Sequence, residues 1–342
     1  MNPSATLFDT HVHVLSIDGG GIRGIIPAEI LDYITARTGL AVHEMFDLVA
    51  GTSTGGIIAL GVGTNCKSGT APYTPRELVQ LYVDNGAKIF PKSVFSGVKE
   101  LFGPKYSAQP LEQVLAEYFG DTMLDSALTP LLIASYDLAS QTPFFFKSHK
   151  IGCDDSYDVL VQKVARATSA APTYFPPLQM TFPVNGQGKA FCLVDGGVCA
   201  NNPAIAAYAE AKMLYRDLPQ AEFLVVSLGT GDRKDNLDYR SAGGWCLVKW
   251  AKMLVPVFMD SVSESVDYEL QWIDPAAFCR FQDEELPAAC SAMDNATPEN
   301  IQALQDEASK FITANKDKLD SVCQQLNRGR GTTLPGIGPT KC

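Results

Sequence analysis

Residues 47–60 read DLVAGTSTGGIIAL. A short apolar run, Leu48–Ala50, leads into Gly-Thr-Ser-Thr-Gly at 51–55, and an apolar run follows. This is the G-x-S-x-G pattern of a strand, a sharp turn and a helix, with Ser53 projected at the helix head. Gly51 and Gly55 relieve crowding around that turn, and the helix dipole favours negative charge developing beside it. Taken alone, Ser53 can equally be a helix cap. Leu48–Cys66 carries no charged residue over 19 positions, the length of a membrane span. Its Gly-Thr-Ser-Thr-Gly-Gly centre instead suits a buried strand, a turn and a buried helix. A serine of this kind normally passes its proton to a histidine. The chain has four histidines (His11, His13, His43, His149), and none follows in the remaining 193 residues. What base Ser53 would use is therefore the question the sequence poses.

Outward from the elbow, strands and helices alternate. Residues 11–17 and 45–51 read as strands, and 24–38 and the stretch from Thr54 as helices. TPRELVQLYVDNGAKIF opens on a capping box, with Thr74 as cap, Pro75 next and Glu77 three residues on. A further helix covers roughly 110–119. TPLLIASYDL and PFFFKS read as strands, YDVLVQKVARATSA as a helix, AFCLVDGG as a strand, NPAIAAYAEAKMLY as a helix and EFLVVSLGTG as a strand. Apolar strands alternating with helices predict a three-layer α/β/α fold around a mostly parallel central sheet. After Gly231 the pattern changes: 239–275 read as helical and hold all three tryptophans (Trp245, Trp250, Trp272), and Thr297-Pro298 open a long amphipathic helix. The expected organisation is a core over 1–231 and a mainly helical extension over 232–342 packed on it, with 328–342 as a loose tail.

Composition narrows the partners. With 46% hydrophobic and 19% charged residues among 342, the chain can bury a large core. Its net charge of −11 speaks against nucleic acid as a partner and against docking on anionic lipid by bulk electrostatics. Nine scattered cysteines with no C-x-x-C pair point away from a zinc site and toward free thiols in a reducing, cytoplasmic setting. MNPSATLFDTHVHV lacks the basic and apolar regions of a signal peptide.

Two further motifs flank the elbow. SIDGGGIRG (16–24) follows a strand and precedes a helix, and Gly19, Gly21 and Gly24 satisfy G-x-G-x-x-G. That is the dinucleotide fingerprint, but the acidic ribose clamp it requires at the end of the second strand is missing. Glu44 and Asp47 fall at or before that strand's start, and Ser53 holds the place. The loop's N–H groups can cradle a phosphate or stabilise the oxyanion of an acyl intermediate. Carboxyl-end loops of neighbouring parallel strands lie side by side, which puts Gly20 and Gly21 beside Ser53. A turn needed only for packing is the third option. In LVDGG, Asp195 ends an apolar strand and is followed by Gly196 and Gly197; read alone, this is ordinary turn chemistry.

Taken together and in this order, Asp18-Gly19-Gly20-Gly21-Ile22-Arg23-Gly24, Gly51-Thr52-Ser53-Thr54-Gly55 and Asp195-Gly196-Gly197 resemble the patatin-like phospholipases, as does ATSAAPTYFPP at 167–177. The resemblance runs over roughly 12–231. It implies a serine lipid acyl hydrolase of phospholipase A, lysophospholipase or galactolipase type, acting on lipid at a membrane or micelle surface. It also implies a Ser-Asp dyad without histidine, metal or cofactor: Ser53 as nucleophile, Asp195 as base, N–H groups of Gly20 and Gly21 as oxyanion hole, and Arg23 nearby. His13 and His43 are then structural. Some bacterial relatives are gated by a nucleotide second messenger, which residues 232–342 could host; a nucleotide-binding module and a catalytically idle storage or effector protein are the other readings. Two basic-aromatic segments, 89–106 and 244–259, are candidates for meeting lipid. The first is the better lid, and the second is expected to be core. No segment reads as transmembrane, and the oligomeric state is left open.

Overall fold

A computed structural model describes residues 11–67, 69–92, 103–151, 158–184, 187–232, 243–244 and 246–328. Its strands are β1 His11–Ile17, β2 Leu48–Thr52, β3 Leu131–Asp137, β4 Thr142–Lys147, β5 Leu178–Val184, β6 Gln187–Asp195, β7 Glu222–Leu228 and β8 Phe278–Phe281. Its helices are α1 Ile25–Thr38, α2 Val42–Met45, α3 Thr54–Gly63, α4 Pro75–Ile89, α5 Gln109–Phe119, α6 Val161–Thr168, α7 Gly197–Ala200, α8 Ala204–Leu214, α9 Leu247–Ile273, α10 Pro298–Ala314 and α11 Lys316–Asn327.

All eight strands form one sheet. β8, β7, β1, β2 and β3 lie side by side and parallel. β4 and β6 both pair antiparallel with β3, and β5 pairs antiparallel with β6. The parallel strands are apolar on both faces, and successive residues serve opposite layers. Leu15, Ile17 and Val49 pack with α1, α3 and α4, whereas Val12, Val14, Leu48 and Ala50 pack with Ala204, Ala207 and Ala211 of α8. The result is the expected three-layer α/β/α fold, with an antiparallel edge that apolar patterning alone did not reveal. The capping box forms as read: the Glu77 N–H donates to Thr74 Oγ1 at 3.3 Å, and the Thr74 N–H donates to Glu77 Oε2 at 2.9 Å.

Beyond residue 231 three readings change. Phe278–Phe281 is a strand, β8, which extends the main sheet beside β7. The long helix expected from Pro298 breaks at Asn315 into α10 and α11. The segment expected to be core, 244–259, is only partly so. Trp250, Leu254, Val257 and Phe258 are 40–56% exposed, whereas Met259 is buried. Apolar spacing marks a face but does not say whether protein or solvent lies against it. Trp245, residues 93–102 of the lid candidate and the tail from 329 lie outside the described residues. Cysteines 66, 192, 199, 246, 279, 290 and 323 are free thiols. Among the described residues no helix is long and apolar enough to cross a membrane.

Candidate active site

The sheet's register brings Ser53 and Asp195 together. β4 occupies one edge of β3 along residues 132–137. β2 pairs with β3 at 131–134 and β6 at 135–137, so both must lie on the other edge. They run toward one another and meet end to end. Thr52 lies opposite Ala134 and Asp195 opposite Ser135. Ser53 follows Thr52 directly, and the carboxyl ends of the two strands form one site.

Ser53 is held at φ 54° and ψ −121°, a left-handed conformation rare for a side-chain-bearing residue and typical of strained functional turns. A Cβ at Gly51 would strike the Gly55 backbone, and one at Gly55 would strike Ile17 O and Asp18 O. Both glycines are thus needed for the turn to close. ATSAAP ties the two candidate catalytic residues together. The Ser53 N–H donates to Thr168 Oγ1 at 2.9 Å, and the Asp195 N–H donates to Ala170 O at 3.0 Å. Thr168 in turn donates to Ala134 O at 2.5 Å.

Asp195 is 1% exposed. Its Oδ1 accepts the Gly197 N–H at 2.7 Å, and a Cβ at Gly196 would press on the Ala134 backbone. Burial pushes the carboxyl up to about 7, against the Ser53 hydroxyl and the Gly197 N–H, which both pull it down. The hydroxyl is therefore close, yet no hydrogen bond of good geometry joins it to Oδ2, which has no partner among the described residues. Ligand-free catalytic pairs are commonly this loose and tighten around substrate.

The glycine loop reaches the same site. A Cβ at Gly19 would lie 3.3 Å from Ser53 Cβ. The Gly19 N–H donates to Asn201 O at 3.0 Å and the Ile22 N–H to Met293 O at 2.9 Å. The N–H groups of Gly20 and Gly21 between them have no hydrogen-bond partner among the described residues. Gly21 adopts φ +59°, and a Cβ there would meet Met293 O; one at Gly24 would meet Thr54 Oγ1. Arg23 is buried, and its Nη1 donates to Gly231 O at 2.9 Å, so it ties the loop to the segment after β7. Burial lowers its pKa, and Asp260 and Asp232 offset that. Asp18 is buried and paired with Arg280, with Nη2 to Oδ2 at 2.6 Å. Glu44 and Asp47 lie at the other end of the sheet, where Glu44 Oε2 accepts the Ala41 N–H and Asp47 Oδ2 accepts the His13 N–H. His13 is buried there too, with Nδ1 3.1 Å from Met45 O.

Ser53, Asp195, Gly20 and Gly21 open on a cavity that spans roughly 640 Å³ with its mouth. Ile57, Tyr82, Phe90, Tyr174, Phe175 and Met259 line it, so the walls are apolar where the floor is polar. Ile89 and Phe90, at the start of the 89–106 segment, border it. Phe90 packs edge-on against Tyr106 and tilted against Phe175, with centroids 5.6 and 5.9 Å apart, and Lys105 and Tyr106 both bind Asp294. Met259 and Met293 line the site, and Arg280 pairs with Asp18 behind the glycine loop; the motifs mark none of the three. ATSAAPTYFPP was noticed, but its tie to both Ser53 and Asp195 needs the fold.

A serine on a strand–helix elbow at the carboxyl edge of such a sheet defines the α/β class to which many serine hydrolases belong. Residues 15–208 match the patatin-like phospholipase family. Patatin-like protein 2 of Arabidopsis thaliana is 33% identical over 92% of this chain and 86% of its own length. Patatin-like protein 1 of the same plant is 32% identical over 88% and 81%. The chain belongs to the patatin-like phospholipase family. A solved structure of human GIVD cytosolic phospholipase A2 with methyl gamma-linolenyl fluorophosphonate overlaps 97% of this chain and 61% of its own, at TM-score 0.45 and 11% identity.

Proposed function

We propose that this chain is a serine lipid acyl hydrolase with a Ser53–Asp195 dyad. The observation that carries the reading is a buried carboxylate with one open oxygen, facing an elbow serine on the floor of an apolar cavity. The acyl chain of a phospholipid or galactolipid enters along the apolar wall. Ser53 Oγ attacks the ester carbonyl while its proton passes to Asp195 Oδ2. Charge on the carbonyl oxygen is met by the open N–H groups of Gly20 and Gly21. Collapse of the intermediate breaks the ester C–O bond, and the leaving alkoxide takes the proton from Asp195. Water, deprotonated by the same carboxylate, then releases the fatty acid and restores Ser53.

An aspartate near its ordinary pKa of 4 is a weak base for a hydroxyl. Burial lifts Asp195 toward 7, which brings it into the range of a general base at neutral pH. The reading requires neither metal nor cofactor. The exposed residues Trp250, Leu254 and Phe258 sit on the same helix as cavity-lining Met259. Their position supports contact with a membrane or micelle by apolar insertion, in keeping with a net charge of −11 that gives no bulk attraction to anionic lipid. Free thiols support a reducing, cytoplasmic setting.

A fluorophosphonate probe tests the proposal. It should label Ser53 alone, and the labelled protein should no longer release fatty acid from mixed lipid vesicles. Absence of labelling and of turnover on any ester would favour an idle member of the family instead.

A further inference from the structure

Arg280 of β8 lies opposite Ser227 of β7, which lies opposite Ser16 of β1. β8 and β1 therefore flank β7, about 10 Å apart at ordinary strand spacing. The Arg280 side chain spans that gap. Its Nη1 donates to Ser227 Oγ at 2.9 Å, Nη2 to Asp18 Oδ2 at 2.6 Å, and Nε to Asp267 Oδ2 of α9 at 3.0 Å. The ion pair is enclosed, with the Arg280 and Asp18 side chains 13% and 3% exposed. Among the described residues Arg280 is the one side chain hydrogen-bonded to the Asp18 carboxylate, whose Oδ1 has no partner.

Asp18 begins a loop whose main chain is anchored by its neighbours but whose turn has no side chains of its own to aim it. The next three residues are glycines without side chains, and the open N–H groups belong to the second and third of them. The loop's exit is fixed by Met293 O on the Ile22 N–H; at its entry the main chain is held by Leu228 O on the Asp18 N–H and by Asn201 O and Thr230 Oγ1 on Gly19, and the Asp18 side chain by Arg280. Arg280 is absent from the cavity that contains Ser53 and lines a separate polar pocket behind the loop. A planar fork that reaches three acceptors at once is a task lysine cannot perform equally.

We infer that Arg280 is a positioning residue for acyl transfer: it fixes Asp18, and through Asp18 the aim of the Gly20 and Gly21 N–H groups. The inference rests on the proposed roles of Ser53 and those two glycines. It concerns a strand outside the three motifs that carry the family resemblance.

The test is steady-state hydrolysis of a soluble short-chain ester by Arg280→Gln and Arg280→Lys, beside wild type and Ser53→Ala. Arg280→Gln should lose about 10²-fold in kcat, the order lost with one oxyanion donor, while KM stays within about twofold. Arg280→Lys should recover part of that loss. Arg280→Gln leaves Asp18 buried and unpaired, which can prevent folding. In that case the charge-balanced Asp18→Asn/Arg280→Gln variant carries the same expectation. A folded variant of either kind with wild-type kcat overturns the assignment, and so does a KM that rises as steeply as kcat falls. Ser53→Ala separates the two levels. If it retains turnover, the dyad fails; if it is inactive while folded Arg280→Gln is fully active, only the role of Arg280 fails.

Discussion

Thr52 and Asp195 lie opposite consecutive residues of β3, Ala134 and Ser135, although the strands that end in them run in opposite directions. The meeting sets an elbow serine against a carboxylate 142 positions later in the chain, in a cavity whose described lining residues include no histidine. Ser53→Ala and Asp195→Asn should each reduce ester hydrolysis by several orders of magnitude while leaving the fold intact. The double variant should be scarcely worse than either single one, because in the proposed mechanism the two groups act as a unit. Measured kcat/KM for the three proteins checks this; an Asp195→Asn protein with most of its activity would remove the base from the mechanism.

As the proposed base, Asp195 must be ionised to accept a proton, and burial pushes its pKa up to about 7. Activity should therefore rise with pH through about 7 as a single acidic limb. The same shift acts on stability in the opposite direction. Below about pH 4 the group is protonated in both states. Between about 4 and 7 the folded protein keeps a proton that the unfolded chain releases, so stability falls as pH rises across that window. Asp195→Asn removes this penalty. Its melting temperature relative to wild type should be higher at pH 8 than at pH 4, and a pH-independent difference would contradict the shift.

The conformation of Ser53 at φ 54° carries a cost that glycine would not. Ser53→Gly should abolish activity yet stabilise the protein by about 1 kcal/mol, after the added freedom of the unfolded chain is deducted. Ser53→Ala, with its Cβ retained, should not. Thermal denaturation of the pair decides the matter, and a glycine variant less stable than the alanine one would rule out strain at this position.

At the glycine loop the sequence suggests that Gly21→Ala would impair catalysis and spare folding, since the loop lies at the sheet's edge. The packing alters that expectation. Gly21 has φ +59°, and an added Cβ meets the carbonyl oxygen of Met293, the same oxygen that accepts the Ile22 N–H. Gly21→Ala should lower both kcat and melting temperature. Gly20→Ala meets the Thr230 side chain instead of backbone, so it should cost kcat with the smaller loss of stability. Equal melting temperatures for the two variants would contradict this packing argument.

The parallel strands, the elbow and the capped helices were legible because each is a local pattern: an apolar run, a glycine spacing, a Thr–Pro–x–Glu cap. The assignment of Asp195 came from the family resemblance, since Asp-Gly-Gly by itself says only turn. The unread parts depend on distant partners. β8 is four residues long with an arginine inside it, too short and too polar to stand out, and Arg280 meets Asp18 across 262 positions. The antiparallel edge was hidden because alternation does not say which neighbour a strand will find. The apolar residues of α9 resemble core in sequence for the corresponding reason: their spacing does not show what lies against them.

The strand order has a further consequence for anyone trimming the gene. A fragment ending at residue 231 keeps every motif residue and loses β8. β7, flanked on both sides in the full chain, would then present a row of unpaired N–H and C=O groups along an apolar run, which invites edge-to-edge aggregation. Chromatography of 11–231 beside 11–328 should find the shorter protein in high-molecular-weight material and the longer one in a defined peak. The smallest working unit of this chain is therefore expected to be larger than the stretch that makes it recognisable.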